Sequence, residues 1–324
     1  MKYARILGAI VLTMMMLYIA RRNSAGAPEH FARTVDQYQF EMETVPKGME
    51  NSDTTIWLSV VGPFESGQRV VLQLVGGSVA DGRPTLHAVP MTQKEAGSSE
   101  YYIRMPAGVK NHRTLYYIAV VDDAGTVLAR FARPDESPFV LRSIGHVPAP
   151  VLIGHIAFIF ATFFCVAMAA LSALPLLAGK SDVRPMAVWF LAAAVCAFVG
   201  GYPLGFAMNW YAFGGIWEGV PFGTDATDNK TQILFIYVLF VTLAAIGSLS
   251  RGKVGRDIFS PRTLGWLGLA GFLLQISIYL IPHSIQFSAG LTYAVCYGYT
   301  ALVVLVYMLG RVGSRTKASS PAAP

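Results

Sequence analysis

The sequence predicts a membrane all-α bundle of five spans, an exported all-β sandwich and an N-terminal signal anchor. Three observations predict it. Residues 151–179, 186–217, 231–250 and 263–310 contain no Asp, Glu, Lys or Arg. Between residues 35 and 143, short runs rich in β-branched and aromatic residues alternate with Gly, Pro, Asp and Ser. The chain begins Met-Lys-Tyr-Ala-Arg, continues with an apolar run over residues 6–20, and then reads Arg21-Arg22.

The N-terminal segment, residues 1–22, has the charged start and apolar middle of a signal sequence. It is either a signal anchor or a cleaved signal peptide. Ala25-Gly26-Ala27 offers a small-residue cleavage site, whereas two arginines directly after the apolar run favour retention. Either way, the segment that follows is exported.

Residues 23–147 form the exported domain. Eight runs, 40–45, 55–61, 69–75, 86–90, 101–105, 115–121, 127–131 and 139–141, read as strands. Gly62-Pro63, Ser66-Gly67, Gly76-Gly77, Asp81-Gly82 and Asp122-Asp123-Ala124-Gly125 supply turn chemistry between them. Many short strands at this spacing argue for a sandwich. The run from Leu115 to Gly125 resembles the late hairpin of fibronectin-III or immunoglobulin-like domains. That resemblance implies an immunoglobulin/fibronectin-III-like fold, although no Cys-Trp-Cys core is present and Trp57 alone sits on a strand.

Residues 148–312 form the bundle. A bilayer core of about 30 Å needs roughly 20 apolar residues per helix. The expected spans are 151–177, 187–211, 231–249, 264–281 and 289–309, the last two joined by Pro282-His283-Ser284. Residues 313–324, rich in Ser, Pro and Ala, read as a disordered cytoplasmic tail.

The pI of about 9.2 and net charge of +6 invite a nucleic-acid partner. The charge map argues against one. Residues 21–146 hold 13 Lys/Arg against 14 Asp/Glu. The excess cations sit at the N-terminus, at 180–184, at 251–262 and in the tail, alternating with the acidic loop 213–230 as the positive-inside rule expects. The topology implied is a multipass protein of a bacterial inner membrane. Both termini are cytoplasmic and the sandwich is periplasmic. Cys165, Cys196 and Cys296 all fall inside expected spans, where they read as small packing residues.

The candidate sites follow from what is polar inside or beside the spans. His155 lies about one turn inside the first span, His283 at the end of the fourth, and His146 in the juxtamembrane linker. Ionisable groups in spans are functional candidates, and neutral imidazoles on two helices at one depth can hold heme b or copper or contact a quinone. The alternative is structural: an imidazole near the interface can reach water or cap a helix end.

The loop before the third span carries Trp217, Glu218, Asp225, Asp228, Asn229 and Lys230. It reads either as a partner-binding loop or as a helix cap plus interfacial aromatics. In the second account, Thr227 or Asp228 caps a helix starting near Asn229, and Trp210, Tyr211 and Trp217 form a belt. Gly201, Pro203 and Gly205 predict a kink in the second span. Asn209 and Gln275 are further polar groups inside spans. No charge-bearing path crosses the bundle, which disfavours a porter of charged solutes.

The reading that follows is non-enzymatic. The protein is expected to be a subunit or accessory protein of a membrane complex, meeting the lipid bilayer and a membrane or periplasmic protein partner at the outer face. A redox or metal-binding subunit using His155 and His283, and a porter of a neutral or lipid-like solute, are the alternatives.

Overall fold

A computed structural model describes residues 2–22, 28–78, 84–106, 108–250, 257–281 and 287–319. The chain divides into two compact units. One comprises Met1–Ala25, Val147–Trp210 and Gly215–Pro324; the other comprises Gly26–His146 and Tyr211–Gly214.

The second unit is a two-sheet β domain. Its strands are β1 (His30–Val35), β2 (Tyr38–Glu43), β3 (Lys47–Met49), β4 (Thr54–Val61), β5 (Arg69–Ser78), β6 (Pro84–Pro90), β7 (Thr92–Gln93), β8 (Glu100–Met105), β9 (Arg113–Val121), β10 (Val127–Phe131) and β11 (Phe139–Ile144). One sheet has the order β1-β2-β4-β8-β7. The other has the order β3-β11-β9-β5-β6, with β10 also paired to β9.

Strict alternation sets the register. On β2, Tyr38, Phe40 and Met42 are buried while Gln39, Glu41 and Glu43 are exposed, so a one-residue slip would put three carboxylate or amide side chains in the core. Phe40 of one sheet stacks on Phe131 of the other, with ring centroids 5.1 Å apart. The expected hairpin turn at Asp122–Gly125 is closed by Asp122, whose carboxylate accepts from the Thr126 N–H at 2.7 Å. Trp57 differs from an immunoglobulin core tryptophan: it faces outward on β4, 48% exposed, against Tyr102.

The first unit is helical: α1 (Lys2–Arg22), α2 (Ala149–Leu177), α3 (Arg184–Gly201), α4 (Pro203–Phe213), α5 (Ala226–Ala244), α6 (Ile246–Leu249), α7 (Pro261–Leu280) and α8 (Ala289–Ser319). Four helical segments are long and apolar enough to cross a membrane, which points to a membrane protein: Ala149–Leu177, Arg184–Phe213, Pro261–Leu280 and Ala289–Gly313. Of the two other long helices, α1 and α5, the latter carries Asp228, Asn229, Lys230 and Gln232 in its first two turns, which dilutes its apolar character. Helix α8 continues to Ser319, where the sequence reading ended the last span at 309 and placed a disordered tail. Arginine and lysine are good helix formers, so the cationic residues after position 309 need not end the helix.

Small residues set the helix spacing. A Cβ on Gly268 of α7 would lie 2.7 Å from Ala173 Cβ of α2, and one on Gly265 3.1 Å from Leu176 Cβ. This is the close approach that membrane helices gain from glycine. Ala9 and Met16 of α1 are buried against Phe163, Ala167 and Met168 of α2.

Gly268→Ala should therefore destabilise the purified protein by about 1–3 kcal/mol through overpacking. Gly298→Ala on α8, where an added Cβ meets nothing within 4 Å, should be neutral or slightly stabilising through helix propensity. Thermal melts of the two variants in one detergent check the contrast.

Candidate functional site

Several polar side chains of the helical unit gather around a break in the second long apolar helix. α3 ends at Gly201 and α4 begins at Pro203, leaving Tyr202 between them. Proline has no N–H to donate and clashes with the preceding turn. The break thus falls within the Gly201-Pro203-Gly205 segment, and it frees backbone groups in an apolar setting.

His155 answers one of them. Its Nδ1 lies 2.9 Å from the Gly200 carbonyl oxygen. The carbonyl can only accept, so Nδ1 carries the proton and a neutral ring keeps Nε2 as its acceptor nitrogen. Gly200 and Gly201 are glycines for a reason of space. A Cβ on Gly200 would press on Phe158 Cβ at 2.9 Å, and one on Gly201 would meet Thr231 Cγ2 at 2.5 Å.

The loop preceding α5 covers the other side of the break. Trp217 stacks on Tyr202 with centroids 5.6 Å apart and planes 10° apart, meets Phe206 edge-on, and donates from Nε1 to Val220 O at 3.2 Å. Asp225 is the N-cap of α5: its carboxylate accepts from Thr227 N–H at 2.8 Å and Asp228 N–H at 3.0 Å. The helix thus starts three residues before the expected position, because Asp225 outcompetes Thr227 and Asp228 as cap.

That leaves the Asp228 carboxylate for a different task. It accepts from the Glu218 N–H at 2.7 Å and from Asn209 Nδ2 at 3.1 and 3.2 Å, tying loop, α4 and α5 together. Burial pushes the Asp228 carboxyl up to about 6; nearby Asp225 and Glu218 push the same way, while the Glu218 N–H and Asn209 pull it down. Asn229, one residue on, accepts from the Val220 N–H through Oδ1 at 2.7 Å. Gly219 has room for no side chain: a Cβ there would lie 2.8 Å from Asp228 Cβ and 3.0 Å from Asn229 Oδ1.

Of the other sequence candidates, Lys230 is buried, with Nζ donating to the Ile281 carbonyl at 3.0 Å. Glu218 is half-buried, and Trp210 is 55% exposed. His146 is exposed, between β11 and α2. His283 lies outside the described residues, as do the proposed cleavage site and Asp81-Gly82. Among the described residues, no group of three or more His, Cys, Asp or Glu side chains is placed to hold a metal ion. Cys165 and Cys196 are close enough for their thiols to interact across α2 and α3, and both are free. The Asp228–Asn209 tie was missed in the sequence, although the isolated Asn209 was its one visible signal.

In sequence comparisons, no family model and no curated protein matches this chain.

Asp228 supplies a pH signature. Its folded-state pKa stands above the ordinary 3.8, so folding favours the protonated form. The associated stability is present at low pH and is lost as pH rises through about 6. Wild-type protein should melt at a lower temperature at pH 7.5 than at pH 5, and Asp228→Asn should flatten that component. Asp228→Ala removes the acceptor for two donors and should cost about 1–3 kcal/mol at either pH. Melting followed by tryptophan fluorescence reads all three.

Proposed function

We propose that this protein is a non-enzymatic subunit or accessory protein of a membrane complex, recruiting a protein partner through the loop between α4 and α5. One observation carries the reading: Phe222 is 84% exposed on a loop held by Asp228, Asn229 and Trp217. A large apolar ring left exposed on a pre-organised loop is a ready anchor. Aromatic anchors dominate interface energies, and pre-ordering removes much of the cost of binding. Exposed Pro221 and Ile216 extend the apolar tip. The partner presents an apolar pocket for Phe222.

In this reading residues 231–249, within α5 and α6, form a fifth span, and α1 is a retained signal anchor; its packing on α2 supports retention. The bilayer is a bacterial inner membrane. The loop charges support cytoplasmic termini, and the two-sheet domain is then an immunoglobulin-like periplasmic sandwich.

A second reading keeps a redox or metal role. An imidazole whose Nδ1–H is fixed by a backbone carbonyl, as in His155, is oriented in the way ligand histidines commonly are. Heme b, copper or a quinone would then involve His283 as well. Absorption spectra and metal analysis of wild type and His155→Ala separate the readings; identical spectra and metal content would end this one.

For the partner reading, gently solubilised membranes should yield a copurifying protein whose affinity Phe222→Asp lowers at least about thirtyfold, as expected for an anchor worth about 2 kcal/mol or more. The melting temperature of this surface variant should be unchanged. A wild-type protein that is strictly solitary, or a Phe222→Asp variant that retains its partner, would overturn it.

A further inference from the structure

Three hydrogen bonds clasp the loop between α4 and α5 to the first turn of α5. The Glu218 N–H donates to Asp228 Oδ2 at 2.7 Å, the Glu218 carbonyl accepts from the Asp225 N–H at 2.8 Å, and the Val220 N–H donates to Asn229 Oδ1 at 2.7 Å. Asn209 of α4 joins them, with Nδ2 donating to the Asp228 carboxylate. Of the acceptors in this clasp, only the Asp228 carboxylate takes up a proton in the ordinary pH range.

The charges that act on it are acids. Asp225 lies one turn back at the cap of α5 and Glu218 lies on the loop, and both oppose a charge on Asp228. At the helix break the Tyr202 hydroxyl is the other titratable group near it, and a phenol stays neutral up to about pH 10. The nearest cation along the chain, Lys230, donates to the Ile281 carbonyl, and among the described residues Asp228 forms no ion pair. Shutting the clasp therefore brings one carboxylate up to two others and takes it partly out of water. Both effects favour its neutral form.

Protonation leaves the clasp intact. A proton on Asp228 Oδ1 leaves Oδ2 to accept from the Glu218 N–H. Asn209 Nδ2 is 3.2 Å from Oδ1, and turning that amide over puts its carbonyl oxygen in the same place, as an acceptor for the new O–H. One N–H···O bond is exchanged for one O–H···O bond, and a half-buried charge is removed. We propose that the loop is a proton-operated latch: shutting it is coupled to uptake of a proton at Asp228, Asn209 turns over to hold that proton, and ionisation of Asp228 lets the loop open. In the open state Asp228 is hydrated and Phe222 loses its pre-ordering. The latch stands on its own, whereas its use in regulating recruitment rests on the partner reading above.

The test is amide hydrogen exchange, read by mass spectrometry on the full-length protein in an uncharged detergent, with each rate divided by the intrinsic rate at that pH. In the shut loop Asp228 releases its proton at about 6, against an ordinary 3.8. Shutting is therefore favoured at low pH and loses that advantage as pH rises through about 6, and protection of residues 218–223 should fall about tenfold from pH 5 to pH 7.5. The middle of α5 should hold its protection. Asp228→Asn keeps the acceptor for Glu218 and carries no charge, so its loop should stay protected at both pH values. A wild-type loop whose protection ignores pH would overturn the latch. So would an equal fall in Asp228→Asn, or an equal fall along α5, which is global unfolding. Should Asp228→Asn fail to fold, Asp225→Asn retains a capping side chain and removes one opposing charge. It should shrink the wild-type fall, and an unchanged fall there would be equally fatal. A recovered partner should bind more weakly as pH rises to wild type but not to Asp228→Asn; affinity that ignores pH would remove the regulatory role. A partner that never appears defeats the partner reading and leaves the exchange result standing.

Discussion

Breaking a helix inside an apolar bundle releases backbone groups that have no water to turn to, and each must find a partner nearby. At Tyr202 that requirement organises much of the helical unit. Pro203 removes one donor, His155 covers the Gly200 carbonyl, and Trp217 lies flat on Tyr202. Glycines at 200 and 201 let α2 and α5 come close enough to enclose the break. The loop before α5 is in turn fastened by the Asp228 carboxylate, whose acceptors satisfy Glu218 and Asn209. The acids that look like a recognition surface in the sequence are therefore largely spent inward. What is left exposed is the apolar tip at Phe222.

A buried carboxylate of this kind is held by geometry at an electrostatic cost. Two donors favour its charged form, and burial with two neighbouring acids opposes it. Replacing such a group by a neutral isostere can keep the shape and relieve the cost, whereas deleting it leaves the donors stranded. The same logic applies more sharply to Lys230, where the donor is present and the acceptors are few.

The β domain was legible wherever alternation is strong. All eight expected runs lie within or overlap β2, β4, β5, β6, β8, β9, β10 and β11. The strands that were not anticipated, β1, β3 and β7, have reasons for it. β1 is an edge strand with little buried on either face, and β3 and β7 span three and two residues, too short to show a period. In the helical unit, loss of charge marked the apolar helices, and proline marked the break. The site was only partly legible. Asn209 meets Asp228 across 19 positions and Lys230 meets Ile281 across 51, and pairings of that range leave no trace in local pattern. The cap shifted to Asp225 because several residues in Asp-Ala-Thr-Asp can cap, and only the path of the loop selects among them.

Asn229 fixes the loop from the helix side. Its oxygen accepts from the Val220 N–H of the loop, while its nitrogen has no hydrogen-bond partner among the described residues. A planar amide cannot aim its two ends independently. Flipping it would set NH2 against the N–H of Val220, so the loop's fold dictates which way the buried donor points. Whatever loosens the loop at Val220 also releases the direction of that donor.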